Sequence, residues 1–196
     1  SRALLLREEL AFGGVYAPRL LLGFRHEQFQ LDPADMPAGG SDWENQNAWD
    51  VQGSFLLHPQ LSVYAKAARS YRIDDDGYTS AGYRPLAGQL RRETELGATY
   101  GDHLRSASVR VFSEQLSNQI VFDQSLGQLG FAGNLEPSRR DGIAIETSVL
   151  LAPDWRLDAQ LRQVHARYDD YAYDGPDIAL VPKTLAALRL YWTGRH

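Results

Sequence analysis

Two stretches of this chain gather side chains that suit the capture of a flat anion. Arg72, Tyr78, Tyr83 and Arg84 stand between residues 72 and 90, and Tyr171 and Tyr173 stand between 169 and 182, beside Asp169, Asp170 and Asp174. A guanidinium pairs with negative charge while an aromatic ring stacks on a planar body. The chemistry such groups offer is reversible binding, with no bond made or broken. Each residue taken alone is also ordinary for a solvated loop tip, since loops carry function in aggregate.

No other set of residues reaches even that level. The five histidines, His26, His58, His103, His165 and His196, are scattered, and no two have the spacing of metal ligands on one helix face. Asp74-Asp75-Asp76-Gly77 begins like a calcium loop but lacks the spaced ligands and the distal glutamate, so it reads as a solvated acidic turn. There is no Gly-x-Ser-x-Gly elbow. The absence of cysteine excludes a disulfide framework and a cysteine-based zinc site, and the net charge of −5 gives no reason to expect nucleic acid as a partner. No enzymatic activity, cofactor or resident metal is expected.

The elements that must position the tyrosines and arginines are visible as alternation. Leu96, Ala98 and Tyr100 share one parity, and Glu93, Glu95 and Thr99 the other; after a turn at Gly101-Asp102-His103, Ala107, Val109 and Val111 alternate with Ser108, Arg110 and Glu114. Side chains on a strand point to opposite faces with period two, so both halves read as strands of one hairpin. The same pattern recurs around Trp49–Leu57, Leu61–Ser70, Arg140–Val149, Trp155–Arg162 and Lys183–Trp192, and around Leu20–Glu27, whereas Leu4, Leu5 and Leu6 in the opening strand do not alternate.

Tight turns fall at Tyr16-Ala17-Pro18, His58-Pro59-Gln60, Gly101-Asp102-His103 and Ala152-Pro153-Asp154; long loops fall near 32–45, 72–90, 123–138 and 169–182. The two kinds take turns along the chain. An antiparallel up-and-down meander of about nine long strands, with tight turns at one end and long loops at the other, is the organisation of a transmembrane β-barrel. Alternation does not say which face lies inside, and a soluble β-sandwich or ligand-binding barrel has the opposite orientation. Three features favour the membrane: strands longer than the usual five or six residues, many ionised groups on the polar face, and Trp49, Tyr100, Trp155 and Trp192 near strand ends, where interfacial girdles sit.

The succession "SVYAKAARSYRIDD" (62–75), "RRETELGATYGDHLRSASVRVFSEQLSNQIVFD" (91–123), "NLEPSRRDGIAIETSVLLAPDWRLDAQLRQVHARY" (134–168) and "LVPKTLAALRLYW" (180–192) resembles the barrel of TonB-dependent outer-membrane receptors. The specific pieces are Glu-x-Glu-Leu-Gly at 93–97, Asn-Gln-Ile at 118–120, Asn-Leu-x-Pro-x-Arg-Arg-x-Gly at 134–142 and Val-Pro-Lys at 181–183. The chain departs from the family pattern at Asp74, where a proline is common, and at Arg91, where a small hydroxyl residue is common.

The resemblance implies an all-β chain in which residues 1–196 form an incomplete section of a 22-stranded transmembrane barrel, without the plug domain, the segment that contacts TonB or the closing strands. It implies a place in the bacterial outer membrane, lipid as a neighbour, and import of a bulky scarce nutrient, a ferric siderophore first among them, powered by TonB acting on the absent plug. Arg72, Tyr78, Tyr83, Arg84, Tyr171 and Tyr173 then become ligand-binding candidates for an iron chelate. An outer-membrane enzyme barrel is the other alternative, and it would need a convergent nucleophile and base. Cut from its barrel, such a section exposes two unpaired edges and should aggregate in water.

Overall fold

Strand formation follows the alternation almost everywhere it is clean. A computed structural model of the chain describes residues 2–30, 43–73, 86–102, 104–123, 131–169, 177–178 and 181–194. Eleven strands are present among them: β1 Arg2–Ala11, β2 Arg19–Gln30, β3 Trp43–His58, β4 Leu61–Arg72, β5 Gln89–Gly101, β6 Arg105–Ser117, β7 Gln119–Asp123, β8 Phe131–Leu135, β9 Ser138–Ala152, β10 Trp155–Tyr168 and β11 Thr184–Trp192. Nine of them form one open sheet in the order β1-β2-β3-β4-β5-β6-β9-β10-β11, every pair antiparallel.

The remaining two, β7 and β8, pair separately: β7 ends where alternation begins a plain loop at 123–138, and β8 lies inside that loop. Asn118, with φ 55°, sits between β6 and β7 and turns the chain out of the large sheet. Asparagine is among the few side chains that tolerate the left-handed region. The loop assignment also starts β3 too late, since the strand already runs from Trp43.

The tight turns are held by local bonds. In the β5–β6 turn the Asp102 carboxylate accepts from the backbone N–H of Leu104 at 2.8 Å and of Arg105 at 3.1 Å. In the β1–β2 turn the N–H of Ala17 donates to the carbonyl of Gly14 at 3.1 Å, with Ala17 itself at φ 37°. Adjacent turns are tied sideways as well: the Gly101 N–H donates to the Gln60 carbonyl at 2.9 Å, and the Leu150 N–H to the Leu104 carbonyl at 2.8 Å.

Register aligns like with like. One row runs Gly53, Ala65, Leu96, Val111, Ile143 across five strands; the next runs Phe55, Val63, Ala98, Val109, Ile145, Leu161, Ala186. On the opposite face a row runs Lys66, Glu95, Phe112, Gly142, Val164. Burial is reversed from that of a water-soluble protein. Leu96 is 59% exposed while its neighbour Glu95 is 7% exposed, and Leu188 on β11 is 72% exposed. The polar face is the sheltered one, as on the inner side of a curved sheet. A soluble sandwich or barrel would need the leucine and valine rows packed away from water, and among the described residues they are not.

The apolar face has limits at both ends. On β9 it runs from Ile143 to Leu151, about 27 Å along the strand at about 3.4 Å per residue. A strand tilt of roughly 35–45° reduces that to about 20 Å of height, close to the apolar belt of a membrane barrel. Beyond it toward the long loops the same face turns polar, with Arg92, Gln115 and Arg139 in one row. Toward the tight turns it ends in aromatic side chains: Trp155 and Trp192 stack at 6.2 Å, and the Tyr100 hydroxyl donates to Gln60 at 3.2 Å.

Candidate ligand-binding face

The polar face of β4, β5 and β6 carries a linked set of side chains. Tyr64 donates to one Glu95 oxygen at 2.5 Å, and Arg110 pairs with the other at 3.0 Å. Three strands thus meet at one carboxylate. One row nearer the loops, Glu93 receives Lys66 at 3.5 Å and Arg91 at 3.2 Å, and Arg91 also reaches Glu114 at 3.2 Å. Glu114 and Glu95 are both buried, so these carboxylates depend on the cations that meet them.

Two glycines make room for rings on this face. A Cβ at Gly97 would lie 2.3 Å from the Tyr64 ring, and one at Gly142 would lie 2.5 Å from the Phe112 ring. Each ring therefore lies down over a neighbouring strand. Phe112, Val164 and Ala166 form a small buried apolar cluster on the polar face, with Ile178 and Val181 of the β10–β11 connection packed against it. Arg110 and Arg162 bring their guanidinium carbons to 5.8 and 5.0 Å from the Phe112 ring centre.

Nearer the tight turns the same face opens into a polar cleft of about 390 Å³, lined among others by Ser108, Glu146, Ser148, Arg156, Asp158 and Arg189. Arg156 bridges Asp158 at 2.8 Å and Ser148 at 2.9 Å, and Gln160 donates to Glu146 at 3.4 Å. Gln160 is thus the cross-strand partner of Glu146, whereas Arg156 and Asp158 lie two apart on β10 itself, and among the described residues neither Arg140 nor Arg162 pairs with either carboxylate.

At the loop end, Asn134 of β8 is a clamp. Its side chain accepts from the Ala87 N–H at 3.0 Å and donates to the carbonyls of Ala87 and Asn118, both at 2.9 Å. Gln89 accepts from the Ile120 N–H at 3.3 Å. The β7–β8 hairpin is thereby fixed to the segment that leads into β5. On the far side Asp177 accepts from Lys183 at 2.5 Å and lies 3.2 Å from His165. The hydrogen bond from Lys183, followed by its charge and that of His165, holds the Asp177 carboxyl below the usual aspartate range.

Of the six binding candidates read from the sequence, Arg72 is the final residue of β4, paired with Gln89 and exposed at the loop end. Tyr78, Tyr83, Arg84, Tyr171 and Tyr173 lie outside the described residues, as do Asp74-Asp75-Asp76-Gly77, His103 and His196. His26 meets Asn47 at 2.7 Å, and His58 accepts from the Gln60 N–H at 3.4 Å. No group of three metal-type side chains occurs among the described residues. Alternation marks Glu93, Glu95, Arg110 and Glu114 as polar-face residues. It gives no sign of their pairing, nor of Tyr64, Phe112 and Asn134 as positioning groups.

Comparison with known proteins agrees with this geometry. The family model described as "TonB dependent receptor-like, beta-barrel" matches residues 3–195. No curated protein matches the chain. Among solved structures, the ferripyoverdine receptor of the outer membrane of Pseudomonas aeruginosa is similar with a TM-score of 0.70 at 17% identity, over 99% of this chain and 26% of that one. The ferric preacinetobactin receptor BauA from Acinetobacter baumannii gives 0.69 at 18% identity, over 97% and 29%. The copper transporter OprC gives 0.68 at 17% identity, over 94% and 31%. The chain thus spans less than a third of each of these three. At such identities the likeness speaks for the fold.

Proposed function

This chain belongs to the TonB-dependent receptor-like β-barrel family, and from that premise we propose that it is a section of the wall of a bacterial outer-membrane receptor that imports a ferric siderophore. The family is one of transport receptors, characteristic of the outer membrane. The observation that carries the reading is the reversed burial of adjacent residues, with Glu95 sheltered and Leu96 open. A face of exposed leucine, valine and tryptophan is stable when acyl chains cover it, and a sheltered face of ionised groups suits a hydrated lumen.

In this reading the protein works by binding and gated passage. The outward rows hold the wall in lipid, the polar face lines the path, and the long loops catch ligand. Arg72, Tyr78, Tyr83, Arg84, Tyr171 and Tyr173 are the proposed capture residues, because guanidinium and phenol groups suit an anionic iron chelate. Energy comes from TonB through a plug domain outside residues 1–196, and further strands meet the free edges of β1 and β11. The similar structures include a copper transporter beside ferric-siderophore receptors. The choice of iron chelate therefore rests on the loop tyrosines and arginines.

The test is uptake. A strain lacking the gene, under iron limitation, is expected to lose accumulation of radioactive iron from at least one ferric siderophore and to regain it on complementation. Undiminished uptake across hydroxamate, catecholate and carboxylate siderophores, with copper uptake impaired instead, would overturn the iron assignment.

A further inference from the structure

In the middle of the polar face, charge does not balance locally. Four successive cross-strand rows of β4, β5, β6, β9 and β10 hold five cations, Lys66, Arg91, Arg110, Arg140 and Arg162, and three carboxylates, Glu93, Glu95 and Glu114. All three carboxylates are occupied, by Lys66, Arg91 and Arg110. Arg140 and Arg162 have no ion-pair partner among the described residues, and the Nε of each is shut off from solvent with no hydrogen bond. The next carboxylate on this face, Glu146, is engaged by Gln160.

Arg162 is not adrift. Its guanidinium lies 5.0 Å from the centre of the Phe112 ring, and that ring is seated on Gly142. Val164 and Ala166 are buried beside the ring, and Ile178 and Val181 close over them from the β10–β11 connection. A guanidinium whose Nε is cut off from water with no hydrogen-bond partner carries a cost. The flat ring and aliphatic groups around it also make poor company for a bare inorganic ion. They suit an organic acid: a planar carboxylate matches the guanidinium fork in two parallel hydrogen bonds, while its carbon skeleton rests on the ring.

We propose that Arg162 seated on Phe112, with Arg140 two rows away on the same face, forms a carboxylate-binding subsite in the wall of the lumen. This rests on reading the polar face as a hydrated path. The carboxylate comes either from a diffusing organic acid, such as the acid arm of a chelator, or from an Asp or Glu of a peptide segment inside the barrel. Both sources present the same group to the same arginine.

The complete receptor in detergent separates them. In one arm, 4-fluorobenzoate is titrated and followed by fluorine NMR, with neutral 4-fluorobenzamide alongside. A free subsite binds the benzoate, and Arg162→Gln weakens it about tenfold, Arg162→Lys less, while the benzamide is indifferent to both. In the other arm, a photo-reactive residue replaces Val164. If a segment already fills the subsite, benzoate fails to bind wild type, and Val164 cross-links to a peptide outside residues 1–196 in a yield that falls in the Arg162→Gln background. Either result sustains the proposal. Benzoate binding that ignores Arg162, or no binding together with cross-linking that ignores Arg162, overturns it. Heat-modifiable migration on gels verifies that each variant is folded. Siderophore uptake is a separate readout: uptake unchanged with no Arg162-dependent binding removes this subsite alone, and Arg162-dependent binding without any iron uptake removes only the import reading.

Discussion

Glu95 accepts from Tyr64 and from Arg110, residues 31 and 15 positions away. Replacing it by alanine strands both partners on a sheltered face, and a loss of about 1–3 kcal/mol is expected, visible as a lower urea midpoint for the complete receptor in detergent; Glu95→Gln should retain more. Gly97 is constrained from above by the Tyr64 ring, so Gly97→Ala should displace that ring and cost about 1–3 kcal/mol. Asp177 has a depressed carboxyl pKa, so what its contacts with Lys183 and His165 contribute is complete above the unfolded aspartate value of about 3.9 and is lost as pH falls through the lower folded value. Hydrogen exchange at Ile178, whose N–H bonds the Ala166 carbonyl, should therefore accelerate in that acidic window relative to the rest of β10, and Asp177→Asn should remove the acid-specific part. At this scale the sequence conveyed type and parity. Glu93 and Glu95 were legible as polar-face residues, but their partners depend on register between strands, which no local pattern encodes. Phe112, Val164 and Ala166 were illegible for the opposite reason: apolar residues on a polar face read locally as lapses in alternation, and only the fold brings them under one connection.

The strands themselves were almost fully legible, because a one-residue slip would exchange the faces of a whole strand, and the hydrophobic pattern therefore fixes each one. The exceptions have physical causes. β1 shows no alternation around Leu4, Leu5 and Leu6, yet it pairs with β2 from Arg2↔Gln28 to Ala11↔Arg19, so main-chain bonding suffices there. β7 and β8 are five residues each, too short for alternation to stand out, and are held in place by Asn134 and Gln89. Asn134→Ala should release that hairpin from Ala87, raising its proteolytic sensitivity and weakening ligand capture while leaving the unfolding midpoint of the sheet nearly unchanged. On the outward face, Val111→Arg should cost about 2–4 kcal/mol when the receptor folds into lipid vesicles. Ser108→Arg, on the same strand but facing the polar cleft, should cost far less.

The nine-stranded sheet ends in two open edges, β1 and β11, both carrying exposed leucines. In lipid, unpaired backbone groups cost several kcal/mol each, and in water such edges invite association. Residues 1–196 alone should accordingly scatter light as aggregates without detergent. The direction each face looks underlies the fold, the transport reading and the arginine subsite alike, and residues 1–196 contain no cysteine that would compete with a label placed among them. Single cysteines placed in the complete receptor, reconstituted in lipid, at 95 to 98 on β5 and 108 to 111 on β6 can carry nitroxide labels. Labels at 96, 98, 109 and 111 should collide with lipid-soluble oxygen, and labels at 95, 97, 108 and 110 should collide with a water-soluble nickel chelate or be shielded from both. Oxygen contact at the second set with nickel contact at the first would mean that the sheet faces the other way.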